Sequence, residues 1–241
     1  MKLRYVVFYS VEGGVGKTTL STAFAVEKRR VIVVDADWTR PEIAAYFNAP
    51  KRTADWVRIL LDGQPPQYWP HRAEPDVYVV PNYTAVELYH RKGGEVLDLL
   101  ADALFEFLVA LPQLAADLRI AVDTVVVDMT NAPPLSLVEK LAHELGALMV
   151  FMIDRRTLTN VSEMRAEAIR NYQQYASLIV ANMTEKGDER LPSARIVNVM
   201  LRMAKRPARL ETYKDVYRML TSVKENAKAV KYLVSRVVER I

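Results

Sequence analysis

The strand-like run Leu3–Tyr9 leads through Ser10 and Val11 into Glu12-Gly-Gly-Val-Gly-Lys-Thr-Thr19. No other feature constrains the fold as much. The run is short, apolar on consecutive positions and rich in β-branched and aromatic residues, which predicts a strand buried on both faces. The glycines of the next segment let backbone N–H groups converge on an anion without Cβ clashes. A helix is predicted from Thr18. A strand, a glycine-rich loop and a helix in this order form the context of a phosphate cradle. In such a cradle Gly13, Gly14, Val15, Gly16, Lys17, Thr18 and Thr19 surround the phosphates. Lys17 reaches the β/γ oxygens, the Thr18 hydroxyl ligates Mg²⁺, and the helix N-terminus adds its positive end.

The rest of the chain repeats the pattern. Val31–Asp35, Val77–Val80, Thr124–Asp128 and Leu148–Ile153 are further strand-like runs; Leu178–Asn182 is expected as a sixth strand and Arg195–Val199 as a seventh. Helix-like segments separate them. This alternation predicts a doubly wound α/β fold, with a mainly parallel sheet and helices on both faces. The 241 residues, half of them apolar, suffice for one domain spanning 1–241. Residues 64–75 carry four prolines and read as a surface loop.

Composition narrows the possibilities. The chain has no cysteine, which excludes disulfides, thiolate zinc sites and cysteine-held iron–sulfur clusters. His71, His90 and His143 are scattered and suggest no metal cluster. No run of 18 apolar residues appears, so no membrane-spanning helix is expected. The N-terminus shows no signal-peptide pattern, and a cytoplasmic location is the expectation. Residues 195–241 hold twelve Lys or Arg against four Asp or Glu, while the whole chain is only +4. The basic end is either the footprint of an anionic partner or a solvated helical face. Its last part, Val223–Ile241, has apolar residues at three- and four-residue spacing and predicts an amphipathic helix. Packing against its own sheet is preferred to lying on a membrane, because the apolar face is mostly valine.

The loop departs from G-x-x-x-x-G-K-[ST], since Val11 occupies the first glycine position. It resembles instead the deviant Walker A loop of the ParA/MinD superfamily of ATPases, K-G-G-x-G-K-[ST], and matches Lys-Gly-Gly-Val-Gly-Lys-Thr-Thr at every position but one. Val31-Ile-Val-Val-Asp-Ala-Asp37 and Thr124-Val-Val-Val-Asp128 resemble the motifs that follow in that family. The resemblance implies that Asp37 orients the attacking water, that Asp35 supports the Mg²⁺ shell, and that Asp128 holds the metal from the end of a Walker B strand. Without the resemblance, Asp37 reads as a helix N-cap. Thr130 and Asn131 are candidate γ-phosphate sensors in a switch loop two residues longer than the family's. Asn182 falls where the family contacts adenine, and the absence of an Asn-Lys-x-Asp run favours ATP over GTP.

The exception is Glu12, which stands where the family carries its signature lysine. In the family that lysine reaches the phosphates of a partner across an ATP-sandwiched dimer. A carboxylate there must turn away, be protonated, pair with a cation or disable the dimer. The resemblance implies a Mg-ATP-dependent partition ATPase, a homodimer or partner-bound protein that meets DNA through basic residues in 195–218. A nucleotide-binding regulator with little or no ATPase activity and a MinD-like membrane-cycling protein are the alternatives. Arg40, close to Asp37, is a candidate substitute cation.

Overall fold

The computed structural model describes residues 3–61, 69–159, 163–205 and 210–239. The strands are β1 (Arg4–Ser10), β2 (Val31–Ala36), β3 (His71–Glu74), β4 (Val77–Val80), β5 (Thr124–Asn131), β6 (Leu148–Asp154), β7 (Leu178–Thr184) and β8 (Val199–Arg202). The helices are α1 (Lys17–Lys28), α2 (Glu42–Tyr46), α3 (Trp56–Leu61), α4 (Tyr83–Lys92), α5 (Leu97–Asp117), α6 (Leu135–His143), α7 (Arg155–Thr159), α8 (Glu163–Gln173), α9 (Tyr213–Thr221) and α10 (Lys224–Val238). The strands form one sheet in the order β3-β4-β2-β5-β1-β6-β7-β8. All pairs are parallel except β3 with β4. This is the doubly wound α/β architecture expected from the sequence.

Consecutive residues of one strand serve two cores. In β1, Tyr5, Val7 and Tyr9 pack in one layer with α5 and α6, while Val6 and Phe8 pack in the other with α1 and α10. Both layers being dry explains why the central strands are apolar without alternation. The buried hydroxyls of Tyr5 and Tyr9 donate to the carbonyls of Leu108 (2.7 Å) and Tyr172 (3.0 Å).

Two edge strands differ from expectation. Residues 71–74, read as loop, form β3 against β4. They carry no apolar run because the strand lies at the sheet's edge. The last strand is Val199–Arg202 rather than Arg195–Val199. Residues Pro192–Ile196 instead form a short 3₁₀ turn with the proline at its start. In β8 Val199 and Leu201 point inward while Met200 and Arg202 are half-buried, the alternation of a strand with one wet side. Trp69 is buried, edge-on to Phe107 at 6.1 Å between centroids.

The helical stretch Tyr83–Asp117 is long and apolar enough to cross a membrane by composition, which the sequence reading did not anticipate. In the fold α5 uses that surface to bury Leu100, Leu104, Phe107, Leu108 and Leu111. The predicted amphipathic helix is α10; its final two residues, 240–241, lie outside the described residues. It buries Ala229, Val230, Leu233 and Val237 against the layer that holds α1. Leu233→Ala is therefore expected to destabilise the chain by about 2–5 kcal/mol, measured by chemical denaturation. A helix whose apolar side served a membrane would leave that midpoint unchanged.

Candidate functional site

Parallel strands place their C-terminal ends on one edge, and a crevice opens where the chain winds away in both directions from a central strand. Here β1 is that strand, between β5 and β6. The loop after it crosses the edge and enters α1. Gly14 (φ 75°) and Gly16 (φ 91°) occupy the left-handed region, which the glycine-rich sequence permits. Gly16 has a second constraint: a Cβ there would lie 2.2 Å from the Asn182 amide nitrogen. Gly16 is also the N-cap of α1, and neither a capping side chain nor an acidic residue occupies the first turn. The N–H groups and positive end of the helix are thus left for an outside anion.

Lys17 is 5% exposed. Its ammonium donates to Ser10 Oγ at 3.1 Å and to Asn131 Oδ1. Burial pushes its pKa down, against the pull of Asp128, Asp37 and Glu42. Thr18 and Thr19 line the cleft with Gly13, Gly14 and Gly16. Val15 does not; its side chain is fully buried in the core and its carbonyl accepts the Asn182 amide at 2.8 Å.

Three carboxylates stand behind and beside the loop. Asp35 and Asp128 are register partners on β2 and β5, and both are buried. Asp35 accepts the N–H groups of Asp37 (3.3 Å) and Ala44 (3.2 Å), which ties the strand to α2. Burial, and next the neighbouring Asp128, raise its pKa well above the usual carboxylate range. Burial pushes Asp128 up to about 7, although the Lys17 ammonium and the hydroxyls of Thr18 and Ser21 pull it down. One Asp128 oxygen, Oδ1, is buried without a hydrogen-bond partner. Asp128 is not at the strand's end as expected: β5 continues to Asn131, and this carries Asn131 next to Ser10. Asp37 is half-buried and lines the cleft. Its Oδ1 accepts the Thr39 N–H (3.0 Å), the Thr39 hydroxyl (2.5 Å) and the Arg40 N–H (3.3 Å), so it caps a turn before α2 rather than the helix itself.

The cleft encloses about 820 Å³. Beyond the loop its wall is apolar, formed by Met183, Met203, Ala204, Leu210, Met219 and Leu220, with Arg202 among them. None of these was singled out as cleft lining from the sequence, because they come from the end of β7, the edge strand β8, its exit and α9. Asn182 is 7% exposed; its Oδ1 accepts the Met183 N–H at 2.8 Å while its Nδ2 donates to the Val15 carbonyl. It thereby clamps the loop. Arg202, expected in a DNA-facing patch, donates to Glu189 (3.1 Å) and to the Glu185 carbonyl. Lys214 pairs with Glu74 at 3.1 Å. Arg195, Lys205 and Arg218 are exposed, and Arg206 and Arg209 lie outside the described residues. Trp38 is in the core, 1% exposed, and Trp56 donates to the Asp35 carbonyl at 2.9 Å. Among the described residues no group of three or more His, Asp or Glu forms a metal cluster.

Glu12 pairs with a cation. Its Oε1 contacts Arg165 Nε on the first turn of α8, and its Oε2 accepts the Thr157 hydroxyl at 3.4 Å. Arg40, the cation suspected from sequence, is exposed at the cleft's rim.

No family model and no curated protein sequence matches the chain. Solved structures do. Cyanothece McdA in complex with ATP superposes with a TM-score of 0.63 at 13% identity, over 98% of this chain and 96% of that one. A plasmid partition protein from Borrelia burgdorferi bound to AMPPNP gives 0.57 at 15%, over 92% and 99%. The septum site-determining protein MinD from Pyrococcus horikoshii with Mg-ADP gives 0.56 at 16%, over 98% and 96%. The chain therefore has the α/β fold of P-loop ATPases and is structurally similar to ParA, MinD and McdA proteins.

A divalent cation suits the residues present. The partnerless Asp128 oxygen sits in a carboxyl group within reach of the Thr18 hydroxyl, and hard oxygen donors are what Mg²⁺ takes. Without the cation, the buried Asp128 charge costs stability. A carboxyl whose folded pKa exceeds its unfolded value destabilises the fold as pH rises through that interval. Asp128→Asn is thus expected to raise the melting temperature of the ligand-free chain at pH 8 and to remove any Mg²⁺ dependence of nucleotide binding. A lowered melting temperature would show that the carboxylate is structural.

Proposed function

We propose that the chain is a Mg-ATP-binding protein of the ParA/MinD type with weak ATPase activity. The observation that carries this reading is the convergence of Lys17, Thr18 and the partnerless Asp128 oxygen at an uncapped helix N-terminus. The backbone N–H groups of residues 13–19 would cradle the phosphates, and Lys17 would exchange Asn131 for a phosphate oxygen. Thr18 and Asp128 would hold Mg²⁺, and Asp35, fixed by the N–H groups of Asp37 and Ala44, would support the metal's shell. Bound Mg²⁺ would offset the negative charge on the β- and γ-phosphates. Asn131, released from Lys17, would sense the γ-phosphate. Asp37 would orient the attacking water; Thr39 and Arg40 hold one of its oxygens in place. The methionine- and leucine-lined wall suits the adenine ring, with Asn182 at its inner end.

The cellular role we infer is that of a partition-type ATPase in the cytoplasm, associating as a homodimer or with a protein partner in its ATP state. Among the described residues of 195–218, Arg195, Lys205 and Arg218 are exposed and would be open to nonspecific DNA contact. A second reading, a nucleotide-binding regulator with little turnover, is favoured by the Glu12–Arg165 pair, which puts the loop's one departure from the resemblance in an intramolecular contact. A membrane role has less support, since α10 buries its apolar side.

Steady-state hydrolysis with sedimentation separates these readings. A partition-type ATPase should turn ATP over slowly, lose turnover at least tenfold in Asp37→Ala, as loss of a positioned base or water-orienting group costs about 10²–10⁴, and associate in Mg-ATP. Its DNA affinity should fall steeply with salt. ATP binding by a monomer with no turnover would leave the regulator reading in its place.

A further inference from the structure

We propose that Arg165 is a positioning residue of the nucleotide site: it neutralises Glu12, so that a phosphate loop beginning with a carboxylate can accept a polyanion. The inference rests on the reading of the cleft as a Mg-ATP site and names a residue that neither the loop motif nor the cleft lining includes.

The Glu12 backbone is joined to the loop's cation through Ser10. The Ser10 hydroxyl donates to the Glu12 carbonyl at 2.7 Å and accepts from the Lys17 ammonium at 3.1 Å. The Glu12 side chain is only 17% exposed, so water screens its carboxylate poorly. A fixed negative charge beside a cradle built for phosphates opposes every phosphate charge that enters, and the opposition grows with their number. Arg165 cancels it from α8, a separate element of the fold. The neighbouring cation Arg156 is committed elsewhere, to Asp154 at 2.5 Å. Thr157 adds a neutral donor to Glu12 and also binds Asp154 through its backbone N–H at 3.2 Å, which keeps the two ion pairs side by side.

Neutralisation of Glu12 by Arg165 would show as a pattern that loss of structure does not produce. Calorimetric titrations in Mg²⁺ at fixed ionic strength would compare ATP, ADP and AMP. Arg165→Ala should weaken ATP binding by about tenfold or more, the scale of one like-charge contact in a partly buried site. ADP should lose less and AMP little. The double variant Glu12→Gln/Arg165→Ala should recover wild-type ATP affinity, and Glu12→Gln alone should bind ATP at least as tightly as wild type. Equal weakening for all three nucleotides, no recovery in the double variant, or weaker ATP binding by Glu12→Gln would each overturn the proposal. Wild type that fails to bind Mg-ATP would overturn the underlying reading of the cleft instead.

Discussion

Two carboxylates held in register on adjacent buried strands set the terms for the site. Asp35 and Asp128 face the cost of desolvation together, and the neighbouring Asp128 raises the Asp35 pKa further. Backbone N–H groups partly compensate Asp35, but Asp128 keeps an oxygen with no partner. The buried ammonium of Lys17 is the nearest answer, and it is itself destabilised by burial. Such a cluster is poor for stability on its own. It would become favourable if a dication and a polyanion joined it, because charges of both signs would then share the same dry space.

The fold supplies the positions. Parallel pairing brings the ends of β1, β2 and β5 to one edge, and the bulge of β1 against β5 sets Ser10 beside Asn131. Two asparagines then hold the loop from opposite sides. Asn131 accepts from Lys17 and lies over Gly13, while Asn182 donates to Val15 and lies over Gly16. The absence of a Cβ at Gly13 and Gly16 admits these amides. Glu12 belongs to the same construction, for its charge is balanced by Arg165 across the sheet edge.

Most of the fold could be read from the sequence because the central strands are buried on both faces, which leaves continuous apolar runs such as Val31–Asp35. The edge strands could not be read as well. His71–Glu74 has no such run, and Val199–Arg202 alternates because one side meets solvent. The glycine-rich loop was legible as local spacing along the chain, and the three carboxylates were picked out by the resemblance of their strands to a family's motifs. The apolar wall from Met183 to Leu220, the Asn182 clamp and the Arg165 counter-ion were not, since each depends on residues brought together by the fold. Arg202 shows the reverse error: its charge suggested an outside partner, and the fold gives it Glu189 and the Glu185 carbonyl. The pairing of Glu12 was foreseen as one of four outcomes, although its partner was not.

The central claim is that the cleft takes a nucleoside triphosphate together with a dication. The most direct measurement is calorimetric titration of ATP into the wild-type chain, once in Mg²⁺ and once with the metal chelated. The account predicts one-to-one binding in Mg²⁺ that weakens at least tenfold on chelation, a change of about 1.4 kcal/mol or more. Binding of equal strength with and without the metal, or no binding in either, would contradict it.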